Sequence, residues 1–307
     1  MFTAETFINA GKTFLMLFGE LFALFIGISF IVALLQIYIS PARVQRVLTT
    51  PRKSLNSILG ALLGAVTPFC SCSTIPVLVG LFKSKAPFNG AISFLLTSPI
   101  LNPAIIALML TFFGVKATII YTVFTFVFAV VMGLILDKAG FEKEVKNVSV
   151  QGGRQDGISW EKLEGTFWQK QWQSIKIAFK DALGLFKGVL VFLLIGAGIG
   201  AFIYEFIPTD LLANFAGANN LWAVPLASIV GIPMYIRTET MIPIANILIS
   251  KGVAPGVMIA LILGGAGASI PEVSLLNSIF KKKMVIAFVL CIFAVATLTG
   301  YVFNFIL

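Results

Sequence analysis

Between Lys116 and Asp137 the chain carries no charged side chain, and an apolar run of about 20 residues is what one helix needs to cross the hydrocarbon core of a bilayer. Comparable runs recur at 13–38, 183–202 and 284–305, broken only by Glu20 and Lys187. Over the whole chain 58% of residues are hydrophobic and 11% charged, with a mean hydropathy of +1.00. Backbone groups in lipid have to be satisfied within their own segment. The expected fold is therefore all-α and polytopic.

Two other apolar stretches are interrupted. The run 58–82 holds Thr67-Pro68-Phe69-Cys70-Ser71-Cys72-Ser73-Thr74-Ile75-Pro76. A proline removes a backbone donor and breaks a helix, and the freed groups are tolerated at membrane depth only inside protein or beside a water-filled cavity. The run 222–250 is interrupted in the same manner by Pro233-Met234-Tyr235-Ile236-Arg237-Thr238-Glu239-Thr240-Met241-Ile242-Pro243. Two further broken helices are expected, at Thr97-Ser98-Pro99 with Asn102-Pro103 and at Gly264-Gly265-Ala266-Gly267-Ala268-Ser269-Ile270-Pro271-Glu272. No strand precedes those glycines and no Lys-Ser/Thr follows, so they read as close backbone packing and not as a nucleotide loop.

Proline spacing suggests that the second half repeats the first. Pro76, Pro87 and Pro103 are followed by Pro243, Pro255 and Pro271 at closely similar intervals. With the N-terminus outside and each interrupted segment dipping in and returning, the loops 39–57, 83–88, 138–180 and 281–283 fall inside. They hold 17 of the 22 Lys and Arg, against Lys12, Lys116 and Lys251 outside. Full crossings would distribute the same charges almost evenly, and the bias toward the cytoplasm favours re-entrant hairpins. Two inverted repeats follow, 1–137 and 181–307. They are joined by a cytoplasmic linker and an interfacial amphipathic helix at 138–180, where Trp160, Trp168, Trp172 and Phe179 alternate with Lys170, Lys176 and Lys180. Inverted repeats of discontinuous helices bring substrate and ion sites to the membrane midplane.

The formal charge of +9 reflects these loops and implies no nucleic-acid partner. With no histidine in the chain, His-ligated metals and a Ser-His-Asp triad are excluded, and two thiols alone do not complete a zinc site. No cofactor, resident metal or catalytic residue is expected. Cys70 and Cys72 form a C-x-C pair suited to soft, thiophilic species; equally, they are small residues that let helices approach. Arg237, Glu239 and Glu272 are costly at membrane depth and need a cavity or a partner. Arg237 would pair with either carboxylate, and Glu239 or Glu272 would carry a coupling proton or complete an ion pair. Ser71, Ser73, Thr74, Thr97, Ser98, Asn102, Thr238, Thr240 and Ser269 supply neutral hydrogen-bonding groups lining the substrate site, although at broken helices such groups often just satisfy freed carbonyls. Cys291 reads as core.

With these residues in view, the chain resembles the ArsP/YraQ-type permease family, which includes bacterial exporters of trivalent organoarsenicals. The resemblance rests on 67–76, on Thr97-Ser98-Pro99 with Asn102-Pro103, and on Gly231-Ile232-Pro233-Met234-Tyr235 before Ile242-Pro243. It covers about 13–305. Where the arsenical exporters carry a further cysteine after the Gly-x-Pro-x-Tyr element, this chain has Ile236-Arg237-Thr238-Glu239, and Glu272 replaces a neutral residue. The resemblance implies a permease of the cell inner membrane. The residues imply a small thiophilic or anionic solute, the trivalent organoarsenical being one candidate and a sulfur compound another. Its expected partners are the substrate, the bilayer and, as an open alternative, a second copy of the chain. A thiol redox protein using Cys70 and Cys72 is the competing reading, and a channel lacks any ring of like charges.

Overall fold

A computed structural model describes residues 48–67, 71–83, 85–146, 166–206, 222–232, 238–250 and 252–306, together with scattered helical positions between Gly11 and Tyr38. The first half holds α1 (Lys53–Val66), α2 (Ser71–Lys83), α3 (Phe88–Thr97) and α4 (Pro103–Lys138). A long α5 (Phe167–Phe206) leads to α6 (Ala223–Gly231), α7 (Thr238–Ser250), α8 (Pro255–Gly267), α9 (Ile270–Ile279) and α10 (Lys282–Ile306). Alone, α4 and α10 are long and apolar enough to cross a bilayer; α8 and α9 qualify together as a pair bent by 44°.

Each interrupted stretch contains a helix boundary, but the interruptions are shorter than expected: Pro76 and Pro243 break no helix and lie inside α2 and α7, and Cys72 is already in the first turn of α2. The first falls between α1 and α2, and the second at 98–102, where Pro103 opens α4 and the Asn102 side chain accepts the Ile105 amide at 2.8 Å. A proline at the first helical turn costs nothing, since that amide has no intrahelical partner. Gly114, at φ 79°, kinks α4 just before Lys116. Near Pro271 the boundary is Ala268-Ser269, and near Pro233 it follows Gly231.

The direction of each helix follows from what it touches. Asn56, Gly60 and Gly64 on α1 meet, in ascending order, Gly90, then Phe94 and Ser98 on α3, so these two helices run parallel. Asn89, at the start of α3, donates to the Lys53 carbonyl at the start of α1. The chain thus leaves Lys53 along α1 and returns along α2 to the same end. The second part of α4 runs back against α3, with Ser93 Oγ donating to the Ala129 carbonyl at 3.1 Å and Lys53 Nζ donating to Asp137 at 2.8 Å. These approaches need residues without side-chain bulk: a methyl at Gly60 would strike the Gly90 carbonyl, and one at Gly133 the Asn89 carbonyl. In lipid, where burial of apolar surface between helices gains little, such close van der Waals packing is what holds helices together.

The same contacts recur further along the chain. Ser71, Phe88 and Pro103 open α2, α3 and α4, and Thr238, Pro255 and Ile270 open α7, α8 and α9, each 167 residues later. Gly64 lies against the Phe94 carbonyl and Ser98 amide; Gly231 lies against the Leu261 carbonyl and Gly265 amide, again 167 residues on. Gly133 against Asn89 and Ser93 is matched by Gly300 against Gly256 and Ala260. Even the C-terminal turns match. Lys85 and Ala86 donate to Phe82 and Leu81 at 3.0 and 2.9 Å, and Gly252 and Val253 donate to Ile249 and Leu248 at 2.9 and 3.2 Å. This constant register corrects the one suggested by proline spacing. Pro87 caps α3 as Ala254 caps α8, so Pro255 stands one residue past the equivalent of Pro87.

Across the halves, α2 packs on α9 and α7 packs on α4. Two ties fix which ends meet: Lys116 Nζ donates to the Ile306 carbonyl at 3.5 Å, and Val145 bridges to Phe280, with Lys146 donating to Ile279 at 2.7 Å.

Two expectations for the middle of the chain change. Its beginning is structured, since Phe141–Glu144 forms a 3-10 turn before the bridge at Val145. The amphipathic stretch is also continuous with the following apolar run, because α5 passes without interruption from Phe167 to Phe206. Trp168 and Trp172 are exposed on it, and Lys176 lies 5.6 Å from the Trp172 ring centre. Trp160 lies outside the described residues.

Candidate functional site

The two central breaks lie side by side. In the first, Leu101 donates to the Thr97 carbonyl at 2.8 Å, and the Ile100 carbonyl accepts the buried Tyr121 hydroxyl. In the second, Ala268 donates to Gly264 at 3.3 Å before the chain re-enters helix at Ile270. The glycine at 267 leaves room for Ile100, whose Cγ2 would stand 3.3 Å from a Cβ there. Apolar groups surround both breaks. Ile100 and Leu101 belong to a cluster with Met109, Ile242 and Leu263, and Ala268 to one with Leu78, Phe94 and Leu276.

Several expected site residues gather here. Thr97 and Ser98 are completely buried, and Ser98 Oγ is 2.9 Å from Thr74 Oγ1, a hydroxyl pair joining α2 to the first break. Thr97 Oγ1 donates to Ser93 one turn back at 2.8 Å, and Asn102 is engaged as the cap of α4. Those two therefore serve the backbone, as polar groups at broken helices commonly do. Thr238 is buried at the start of α7. Cys70 and Arg237 lie outside the described residues, as do the side chains of Ser71, Cys72, Ser73, Glu239 and Thr240. Cys291 is buried in the apolar cluster, as expected.

Glu272 is the outstanding group. It sits in the first turn of α9 at 0% exposure, and neither carboxyl oxygen has a hydrogen-bond partner among the described residues. Three residues earlier, the Ser269 hydroxyl is also buried and unpartnered. Sequence reasoning passed over two participants. Tyr121 holds the Ile100 carbonyl, and Asn89 ties α3 to α1 through the Lys53 carbonyl and, at 3.0 Å, Ser57 Oγ. Tyr121 was findable, since a phenol inside an uncharged apolar span needs a hydrogen-bond partner.

The constant register pairs the residues of the two outer breaks by position. Cys70, Ser71, Cys72 and Ser73 correspond to Arg237, Thr238, Glu239 and Thr240, and Ile105 corresponds to Glu272, each 167 residues apart. One half thus contributes thiols and the other an arginine and carboxylates.

Interrupted apolar helices with hydroxyls and a carboxyl group buried near the breaks are the arrangement expected of a helical membrane permease. The comparisons give the family: residues 7–305 match the ArsP_1 family, described as predicted permease, and the chain belongs to it. It is 24% identical to the UPF0718 protein MJ0584 of Methanocaldococcus jannaschii, over 83% of each chain. A Streptococcus mutans protein provisionally named a two-component membrane permease complex subunit is 25% identical, over 83% of this chain and 81% of its own. UPF0718 protein YraQ of Escherichia coli is 23% identical, over 74% of this chain and 61% of its own. No solved structure matches the chain.

Proposed function

We propose that this permease is a secondary transporter of the cytoplasmic membrane, built from two inverted repeats at 1–137 and 181–307 around a cytoplasmic segment at 138–180. It moves a small thiophilic or anionic solute, such as a trivalent organoarsenical or a sulfur compound, through a midplane site and is driven by protons. One observation carries this reading: Ile100 and Gly267 are equivalent positions, 167 residues apart, and they touch each other. A residue that meets its own counterpart lies on a two-fold axis, and reciprocal packing of α2 on α9 and α7 on α4 is what such an axis requires. Inversion is supported by the ties between ends. The kink at Lys116 meets the closing end of α10, whereas the break before α10 meets the segment following α4. The axis then passes through the broken helices, the place such folds use for their sites.

For the solute, the support is the residue set itself. Two thiols favour a soft centre, and Arg237 favours negative charge. Assembly with a second chain, as a homodimer or with a companion such as the Streptococcus name describes, is part of this reading and is measurable by native mass spectrometry. The deciding experiment is flux into proteoliposomes, with and without a pH gradient, offering organoarsenicals, sulfur oxyanions and small thiols. The proposal expects gradient-dependent flux of one class. Cys70→Ser with Cys72→Ser would abolish flux of a thiophilic solute, and Arg237→Gln that of an anion. No gradient-dependent flux of any class would sink it.

A further inference from the structure

We infer that Glu272, seated against Ser269 at the opening of α9, is the carboxyl group that takes up and releases the coupled proton. The inference rests on the proton-driven reading above. Its basis is a mismatch between what the position needs structurally and what occupies it. Ser269 and Glu272 stand at the cap and third positions of α9, the S-x-x-E spacing of a capping box. A glutamine serves that purpose as well as a glutamate and carries no charge. Here the ionisable residue is completely buried, no side chain among the described residues hydrogen-bonds to it, and only the Ser269 backbone amide faces its carboxyl group, outside strict hydrogen-bond geometry.

An ionised carboxyl buried without a partner costs several kcal/mol, whereas the neutral acid avoids most of that penalty. The charged form nevertheless has local support, because the free amides at a helix N-terminus attract an anion. Glu272 thus has a resting place in both protonation states, which a proton carrier needs. A metal cation fits less well: hard cations take about six oxygen ligands, three oxygens are present, and the helix amides repel it. Of the helices packed on α9, α2 carries Cys72, α5 carries Asp181 and Lys187, and α10 carries Cys291 within their apolar stretches. Neither Asp181 nor Cys291 hydrogen-bonds to Glu272, and the side chains of Cys72 and Lys187 lie outside the described residues. Arg237 belongs to the undescribed break 233–237.

The location suits the task. Glu272 lies three residues past the second central break, beside the contact of Ile100 with Gly267. Its equivalent in the first half is Ile105, so one half carries the ionisable group and the other none.

The test combines infrared difference titration of the purified protein in lipid with the flux assay. Wild type is expected to show the carbonyl band of a protonated acid that disappears as pH rises. Glu272→Gln removes that band while keeping the size of the side chain and an oxygen that can face the Ser269 amide, and its thermal unfolding in detergent checks that it folds. Its gradient-driven accumulation should fall about tenfold, within the usual range for coupling between two sites, while exchange without a gradient persists. Glu239→Gln keeps the band. Glu272→Asp, which retains an ionisable group on a shorter arm, should shift the midpoint of the band. Absence of the band in wild type would mean a standing ion pair with Arg237 and would overturn the inference, as would full accumulation by Glu272→Gln. Those failures leave the permease reading intact. Wild-type accumulation that follows a sodium gradient and ignores pH would overturn the inference together with the proton in that reading, and absence of all flux would overturn both.

Discussion

Ile100 and Gly267 occupy the same position in the two halves of the chain and are in contact with each other, a methyl group of the isoleucine filling the space a side chain at 267 would take. The larger partner comes from one half and the empty position from the other. This complementarity lets two breaks meet without a void or a clash.

Filling that position should be costly. A Cβ at Gly267 would lie 2.8 Å from Ile292 Cγ2 as well as 3.3 Å from Ile100. Gly267→Val should destabilise by about 1–3 kcal/mol, the usual range for overpacking. Adding Ile100→Ala should recover part of that loss. Thermal unfolding in detergent measures both, and strictly additive effects would deny the contact.

Gly64 and Gly231 should behave alike. A methyl at Gly64 would stand 3.0 Å from the Phe94 carbonyl oxygen, and one at Gly231 would press closer still on the equivalent Leu261 carbonyl oxygen, with the Gly265 amide at 3.0 Å. Backbone atoms yield little, so Gly64→Ala and Gly231→Ala should each cost about 1–3 kcal/mol. A loss confined to one of them would show that the two halves do not pack equivalently.

The matched turns at Lys85 and Gly252 give opposite responses. Both adopt positive φ, 60° and 101°, which costs a residue with a side chain roughly 1 kcal/mol. Lys85→Gly should therefore raise the unfolding midpoint or leave it unchanged, while Gly252→Ala lowers it.

The proposed inversion of the halves predicts where thiol labels reach. In a variant freed of native cysteines, Lys85→Cys and Lys281→Cys should react with an impermeant reagent only from the cytoplasm. Lys116→Cys and Gly252→Cys should react from outside. Labelling of residues 85 and 252 from the same face would rule out inversion.

The pair Lys53–Asp137 supplies a pH dependence. A hydrogen bond and the charge of Asp137 hold the Lys53 ammonium above its usual range. A raised lysine stabilises the fold below its ordinary value of about 10.4 and loses that contribution as pH climbs through the higher, folded one. Wild type should thus lose stability relative to Lys53→Met only in the alkaline range. The difference should be small and fade with added salt, because Lys53 is exposed. A pH-independent difference would show that the pair is not responsible.

The helix breaks around the candidate site were legible because proline, charge and missing bulk leave local traces. Pro103, with Asn102 before it, marked the start of α4, and Gly264, Gly265 and Gly267 marked close packing. Pro87 misled by one residue, because proline tolerates both the cap and the first helical position and so does not pin the register. Asn102 and Thr97 looked like solute ligands. Their hydrogen bonds go to the backbone, a choice between two local partners that composition does not encode. The continuity of α5 was hidden because the shift from amphipathic to apolar at about 183 resembles a boundary, although a helix can pass through it unbroken.

The sequence alone determined that this chain lives in a membrane as helices, where those helices are interrupted, and which ionisable residues are too costly there to be incidental. Lipid enforces each of these residue by residue, through the cost of an unpaired backbone group or an unsolvated charge. Only the tertiary structure decided that the two halves share a register of 167 residues, that Ile100 meets Gly267, and that Glu272 is sealed beside Ser269. Those relations depend on which surfaces fit together across long separations in the chain, and small residues permit many fits before packing selects one.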